Sequence, residues 1–317
     1  MGVMLPLTKK NNYQATILVC GGTKNAPGAG YNLNADDRCI TIDFSKTNPS
    51  WELSTKMPNA RVMPVSTILA DGTILWAGGS SWGMAGGDPG DYRNGPSPVF
   101  QAEIYNPFDN TWKAVGSMSV ARLYHSGSIL LADGRVVVSG SEMQNYVDAS
   151  NANQGKDCFP DNRTNACTSP FEHRLEAFEP PYLFSPGFRP VIKYAPPRVN
   201  YNSKFGVLLS TDARDISMVS LIRYSTSTHS TDTDQRFIEV EIQKRNSTYL
   251  LLQAPTNGSI APPGNYHLFV LIKGKPSIAK TVLIGGGKAT VDPDPITDSA
   301  SSFSVSLLSF ALFLLFI

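Results

Sequence analysis

The stretch Trp51-Glu-Leu-Ser-Thr-Lys-Met57-Pro-Asn-Ala-Arg61, continued through Asp71-Gly72 and Thr73-Ile-Leu-Trp-Ala77 to Gly78-Gly79, is written twice in this chain. The second copy has Trp112, Met118, Arg122, Asp133-Gly134 and Arg135-Val-Val-Val-Ser139, ending at Gly140. The offset is 61 from Trp51 to Trp112, from Met57 to Met118 and from Arg61 to Arg122, and it becomes 62 at the Asp-Gly pair and the glycine. One residue has therefore been gained beside Tyr124 and His125, where the first copy has Val62-Met63-Pro64. Asp-Gly between apolar runs is a hairpin signal, so each copy reads as a four-stranded antiparallel sheet. Ala15-Thr-Ile-Leu-Val-Cys-Gly-Gly22 reads as a third, partial copy that keeps only the end of such a unit. The gained residue is either a bulge that re-aims neighbouring side chains or a change of loop length.

Composition agrees with an all-β chain. Gly 26, Pro 23 and 10% aromatics suit short strands and tight turns, and no stretch shows three turns of amphipathic helix. The repeats resemble kelch repeats of a β-propeller. Two copies and a fraction cannot close a ring of about 4 to 8 sheets, which leads us to expect further sheets upstream. The propeller part is expected over residues 1–185, closing with Arg174-Leu-Glu-Ala-Phe-Glu-Pro-Pro-Tyr-Leu183. Residues 186–286 have lost the repeat signals. Short strands such as Phe205-Gly-Val-Leu-Leu209 and Tyr249-Leu-Leu-Leu-Gln253 there suit an immunoglobulin-like sandwich. Residues 287–302 read as a linker and 303–317 as a hydrophobic tail.

A formal charge of +1 with 17% charged residues gives no basic face for nucleic acid, so no nucleic-acid partner is expected; nor is a protein partner inferred. Cys20, Cys39, Cys158 and Cys167 allow three pairings. Pairing the first two and the last two is simplest, with buried thiols as the alternative. Sequons at Asn162, Asn246 and Asn257 point to a secreted, glycosylated protein. The uncharged tail after Asp298-Ser-Ala-Ser-Ser302 suits a glycosylphosphatidylinositol signal at the cell surface, with a membrane-spanning anchor as the alternative. The first dozen residues do not read as a signal peptide, so the sequence is expected to be an incomplete reading frame.

Arg122-Leu-Tyr124-His125 and Thr228-His229-Ser-Thr-Asp-Thr-Asp-Gln235-Arg236 carry a phenol and two imidazoles, donor types that suit copper. Their wording resembles the galactose oxidase and glyoxal oxidase family of copper radical oxidases, and the likeness extends over most of Ala102 to Ile284, the early-set domain included. The resemblance implies one copper ion held by Tyr124, His125 and His229. It makes Tyr124 the catalytic base for a small alcohol or hydrated aldehyde, and dioxygen the oxidant, reduced to hydrogen peroxide. It also implies a tyrosine cross-linked to cysteine as radical cofactor, for which no motif occurs in residues 1–317, so the chain alone is expected to be inactive. Gln235 and Arg236 are expected to brace the His229 loop. Arg122 belongs to the repeat, since Arg61 holds the same place, and His173 and His267 are read as structural.

A second reading is a kelch and immunoglobulin-like module at the cell surface, without redox chemistry, that binds carbohydrate or serves as structure. Only the oxidase requires Tyr124, His125 and His229 to converge.

Overall fold

Three antiparallel sheets follow one another along the first part of the computed structural model, which describes residues 1–23, 34–83, 98–141 and 172–285. The first holds Gly2–Met4 (β1), Thr16–Cys20 (β2), Arg38–Asp43 (β3) and Trp51–Lys56 (β4), paired in that order. The second holds Val65–Ile68 (β5), Ile74–Ala77 (β6), Gln101–Asn106 (β7) and Thr111–Ser117 (β8). In the third, Gly127–Leu130 (β9), Val136–Ser139 (β10) and Glu176–Phe178 (β11) pair in sequence order. Every residue of β5 and β6 is buried, as expected for a sheet covered on both faces.

The two Asp-Gly turns are built alike. Gly72 and Gly134 have φ of 84° and 86°, which glycine adopts without strain. Asp71 and Asp133 each accept, through Oδ1, the backbone N–H two residues ahead, at 3.0 Å.

Strand pairing shifts the phase of the repeat. Trp51 and Trp112 lie at the start of the outermost strands of their sheets, as first and second residue, whereas each Asp-Gly turn joins the first two strands of the next sheet. Each copy, as it appears in the sequence, thus straddles two sheets. The partial copy around Thr16–Cys20 is corrected in the same way: it is the second strand of a complete four-stranded sheet, because Gly2–Met4 pairs ahead of it. A periodic pattern fixes a spacing but not where a sheet starts, and a three-residue strand carries no periodicity to read.

The rest of the chain forms a sandwich from Ile192–Tyr194 (β12), Arg198–Val199 (β13), Lys204–Leu209 (β14), Met218–Arg223 (β15), Ser227–Thr228 (β16), Thr231–Asp232 (β17), Phe237–Glu239 (β18), Glu241–Arg245 (β19), Tyr249–Gln253 (β20), Gly264–Ile272 (β21), Lys275–Pro276 (β22) and Lys280–Ile284 (β23). One sheet runs β12-β14-β20-β19 and the other β13-β23-β21-β15-β18. The end of β14 illustrates the alternation: Val207 and Leu209 point into the core while Leu208 is exposed. Strands β16 and β17 form a separate hairpin.

Propeller and sandwich share apolar surface. Ile222, Phe237, Phe269 and Leu271 of the sandwich belong to the same buried cluster as Ile68 and Ile74 of the second sheet. Near the start of the chain, Leu7 donates to Phe237 O at 3.0 Å and accepts from Glu239 N–H at 2.8 Å, extending the edge at β18. The architecture is all-β, propeller-type sheets followed by a β-sandwich, as the sequence predicts.

Candidate metal centre

Arg61 and Arg122 occupy equivalent, fully buried places. Arg61 donates to Gly78 O and Gln101 O, each at 3.0 Å, and pairs with Glu103. Arg122 donates to Gly140 O at 2.8 Å and Arg174 O at 2.9 Å, and pairs with Glu176. Both satisfy backbone carbonyls at the turn from one sheet to the next, which makes Arg122 a structural residue.

The chain then turns a tight corner. Leu123 N–H donates to Ser141 Oγ, and Leu123 O accepts from Ser126 Oγ, both at 2.6 Å. His125 sits in the left-handed region at φ 60°, and Met63 occupies the same corner of the sheet before it at φ 49°. Since β5 starts at Val65 and β9 at Gly127, the offset here is 62, and Met63 matches His125. The gained residue therefore lies between Arg122 and His125, where Leu123-Tyr124 replace the single Val62 of the sheet before. Gly140 makes room for the corner, because a Cβ there would lie 2.9 Å from His125 O.

The β16–β17 hairpin brings His229 to this corner. His229 and Ser230 are left-handed, at φ 51° and 60°, as a two-residue hairpin turn requires. Ser230 Oγ donates to Leu123 O at 3.4 Å, and Gly127 lets Ser227 approach so closely that a Cβ would meet its Oγ at 2.8 Å. Ring centroids lie 3.8 Å apart for Tyr124 and His125, 4.6 Å for His125 and His229, and 5.8 Å for Tyr124 and His229. A metal–nitrogen bond of about 2 Å plus the ring radius puts a centroid about 3 Å from its ion, so rings within about 6 Å can share one. Two imidazoles and a phenol fit copper. No group of three or more His, Cys, Asp or Glu with ligating geometry occurs among the described residues, so the phenol is needed to complete a third donor. Thr228 Oγ1 lies 2.7 Å from His229 Nδ1; when Nδ1 carries the proton, Nε2 keeps the lone pair. A cavity of about 300 Å³ borders His229, with Thr23, Val62, Met63, Pro64 and Thr231 among its walls.

The two expected braces part company. Gln235 Oε1 accepts Ile68 N–H at 2.5 Å and its Nε2 donates to Ser66 O at 2.8 Å, tying the base of the hairpin to β5. Arg236 instead turns into the sandwich, donating to Ser259 O and Ile260 O at 2.5 and 2.9 Å, because its long side chain leaves the hairpin for unpaired carbonyls nearby.

Asp232 lies within the motif around His229, yet nothing in the sequence sets it apart from its neighbours. Its Oδ1 accepts the N–H groups of Asp234 and Gln235 at 3.2 and 3.1 Å, shaping the turn that aims Gln235, and burial pushes its carboxyl up to about 6.

His267 packs on Tyr224 at 4.3 Å, with burial lowering its pKa, and His173 is exposed. Cys20 and Cys39 are disulfide-bonded across β2 and β3. Asn246 and Asn257 are exposed, while Cys158, Cys167, Asn162, the linker and the tail lie outside the described residues.

Residues 1–182 match the family model described as glyoxal oxidase N-terminus, and residues 189–284 match that of the galactose oxidase-like early set domain. An aldehyde oxidase, GLOX1, of Arabidopsis thaliana is 29% identical over 85% of this chain and 44% of its own length. A galactose oxidase of Gibberella zeae is 31% identical over 84% of this chain and 36% of its own. A WSC domain-containing protein of Arthroderma benhamiae is 31% identical over 93% of this chain and 29% of its own. The chain thus spans less than half the length of these curated relatives. A solved fungal alcohol oxidase in complex with copper shares the fold, with a TM-score of 0.68 at 22% identity over 89% of this chain and 53% of that one. With more than half of its residues covered by the first of these family models, the chain belongs to the glyoxal oxidase family.

Proposed function

We propose that this chain supplies Tyr124, His125 and His229 as protein ligands of one copper ion in an extracellular oxidase of primary alcohols or aldehydes. The convergence of these three rings from two separate parts of the fold carries the reading. The aldehyde oxidase, galactose oxidase and copper-bound alcohol oxidase among its relatives support it. The net reaction takes two electrons and two protons from the substrate and delivers them to dioxygen as hydrogen peroxide. Copper, when bound, supplies one-electron exchange and a Lewis-acidic position that makes a substrate hydroxyl more acidic.

The chain's own residues then have separate tasks. His125 and His229 are neutral donors, the second oriented by Thr228. The Tyr124 phenolate oxygen accepts the proton of the substrate hydroxyl. The cavity beside His229 offers an apolar side at Val62, Met63 and Pro64 and hydroxyls at Thr23 and Thr231, a lining suited to a small alcohol or hydrated aldehyde.

The family resemblance calls for a cysteine cross-linked to a second tyrosine. Cys20 and Cys39 are bonded to each other, so neither is available for that link. The proposal for the chain by itself is copper binding without turnover. In the cell the protein is proposed to be secreted, glycosylated at exposed Asn246 and Asn257, and held at the surface by a lipid anchor.

Titration with Cu(II), followed by calorimetry and electron paramagnetic resonance, tests the ligand set. His125→Ala and His229→Ala should each weaken binding by about tenfold or more, and Tyr124→Phe should alter the spectrum. Unchanged affinity after both imidazoles are removed would refute the assignment.

A further inference from the structure

One backbone position recurs in all three propeller-type sheets, two residues past β2, β6 and β10, where the chain has Gly22, Gly79 and Ser141. Its carbonyl accepts each time from the segment ahead of the third strand. Asp36 N–H donates to Gly22 O at 2.7 Å, Val99 N–H to Gly79 O at 2.9 Å and Glu172 N–H to Ser141 O at 3.0 Å. The φ angle is positive at all three, 99°, 80° and 137°. Glycine adopts such angles freely, whereas a serine at 137° stands in a region that is nearly glycine's alone. Strain of this kind persists where the surrounding structure makes use of it.

The Ser141 hydroxyl has a use that glycine cannot serve. In the second sheet, Val62 exchanges two backbone hydrogen bonds with Ser80, donating at 2.8 Å and accepting at 3.0 Å. In the third sheet Leu123-Tyr124 take the place of that valine, and Leu123 N–H donates instead to Ser141 Oγ at 2.6 Å. Leu123 O is claimed by hydroxyls as well, from Ser126 at 2.6 Å and from Ser230 at 3.4 Å. Ser126 stands where the second sheet has Pro64, which carries no donor. Leu123 and all three serines are buried.

Leu123 O belongs to the peptide that leads into Tyr124. Holding Leu123 by both its N–H and its O fixes the direction in which the chain enters Tyr124, and hence where the phenol lies beside His125, 3.8 Å away between ring centroids. Ser230 follows His229 directly, so the same carbonyl also ties the hairpin's imidazole to this corner.

Resting on the copper reading above, we propose that Ser141 is a positioning residue for the Tyr124 phenol, with Ser126 and Ser230 completing the clamp from the other side of Leu123. It acts through the backbone and touches neither metal nor substrate.

Titration of the full chain with Cu(II), followed by calorimetry and electron paramagnetic resonance with urea unfolding alongside, tests this. Ser141→Gly removes the hydroxyl and relieves the backbone angle, so the urea midpoint should stay close to the parent's. Copper affinity should nonetheless fall about tenfold, and the spectrum should shift. In a Tyr124→Phe background the same substitution should leave the spectrum where Tyr124→Phe alone puts it, because a residue that acts through the phenol then has nothing to act on. Ser126→Ala attacks the clamp at Leu123 O without touching the strained angle, and should move the spectrum too. It carries the test should Ser141→Gly melt early. Parent affinity and spectrum in both serine variants, or a shift as large without the phenol as with it, would overturn the proposal. Copper binding that survives the loss of both imidazoles would instead sink the ligand set itself, and this proposal with it.

Discussion

Replacing Gln235 by leucine tests how the hairpin is held. The substitution keeps a side chain of similar length and removes both polar atoms. Ile68 N–H loses its acceptor and Ser66 O its donor, on residues 1% and 2% exposed, where water cannot readily take over. A lost hydrogen bond is worth about 1 kcal/mol, and a buried group left unpaired costs about 1–3 kcal/mol. Counting the stranded donor and acceptor together, and allowing for partial relaxation, the expected loss is about 2–4 kcal/mol. That is a large part of a typical domain stability of roughly 5–15 kcal/mol. The loss falls on the seam that brings His229 to Tyr124 and His125, so copper affinity should drop too. If docking and metal binding are fully coupled, about 2–4 kcal/mol corresponds to roughly 30- to 1,000-fold. Urea unfolding read by fluorescence and copper titration measure the two effects. Gln235→Glu is the partial control, keeping an acceptor for Ile68 N–H and losing the donor to Ser66 O. A change below about 0.5 kcal/mol in Gln235→Leu, with unaltered copper affinity, would refute the claim that this amide fixes the hairpin.

Two further outcomes follow from the same geometry. Gly140→Ala should destabilise by about 1–3 kcal/mol and weaken copper binding, since the new Cβ meets His125 O at 2.9 Å and the backbone stands at φ 70°; thermal melting and copper titration check it. Asp232 gives the hairpin a pH-dependent contribution to stability. Its carboxyl titrates near 6 when folded, above its unfolded value of about 3.9, so folding takes up a proton between those values. Stability should fall as pH rises from about 4 to 6 and then level off, and Asp232→Asn, which keeps the acceptor for Asp234 and Gln235 N–H, should flatten that slope in urea midpoints.

The disulfide illustrates a reading that needed the fold to close it. The sequence left three pairings open, and strand register decided for Cys20 and Cys39 by setting them directly opposite on β2 and β3. The braces show the same limit. Gln235 and Arg236 are neighbours in one motif, yet one reaches the propeller and the other the sandwich, because successive side chains leave an extended backbone in opposite directions.

From the residues alone, the spacing of Trp, Met, Arg and Asp-Gly determined an all-β chain of repeated sheets, and two short motifs determined which phenol and imidazoles to watch. Periodicity and motif wording are local properties, so they survive in a linear string. Where a sheet begins, that His125 takes the left-handed corner Met63 also occupies, and that His229 arrives there 104 positions later, only the folded chain could decide. Those facts depend on which strands pair and which faces are covered, and pairing partners distant in sequence leave no mark on the residues between them.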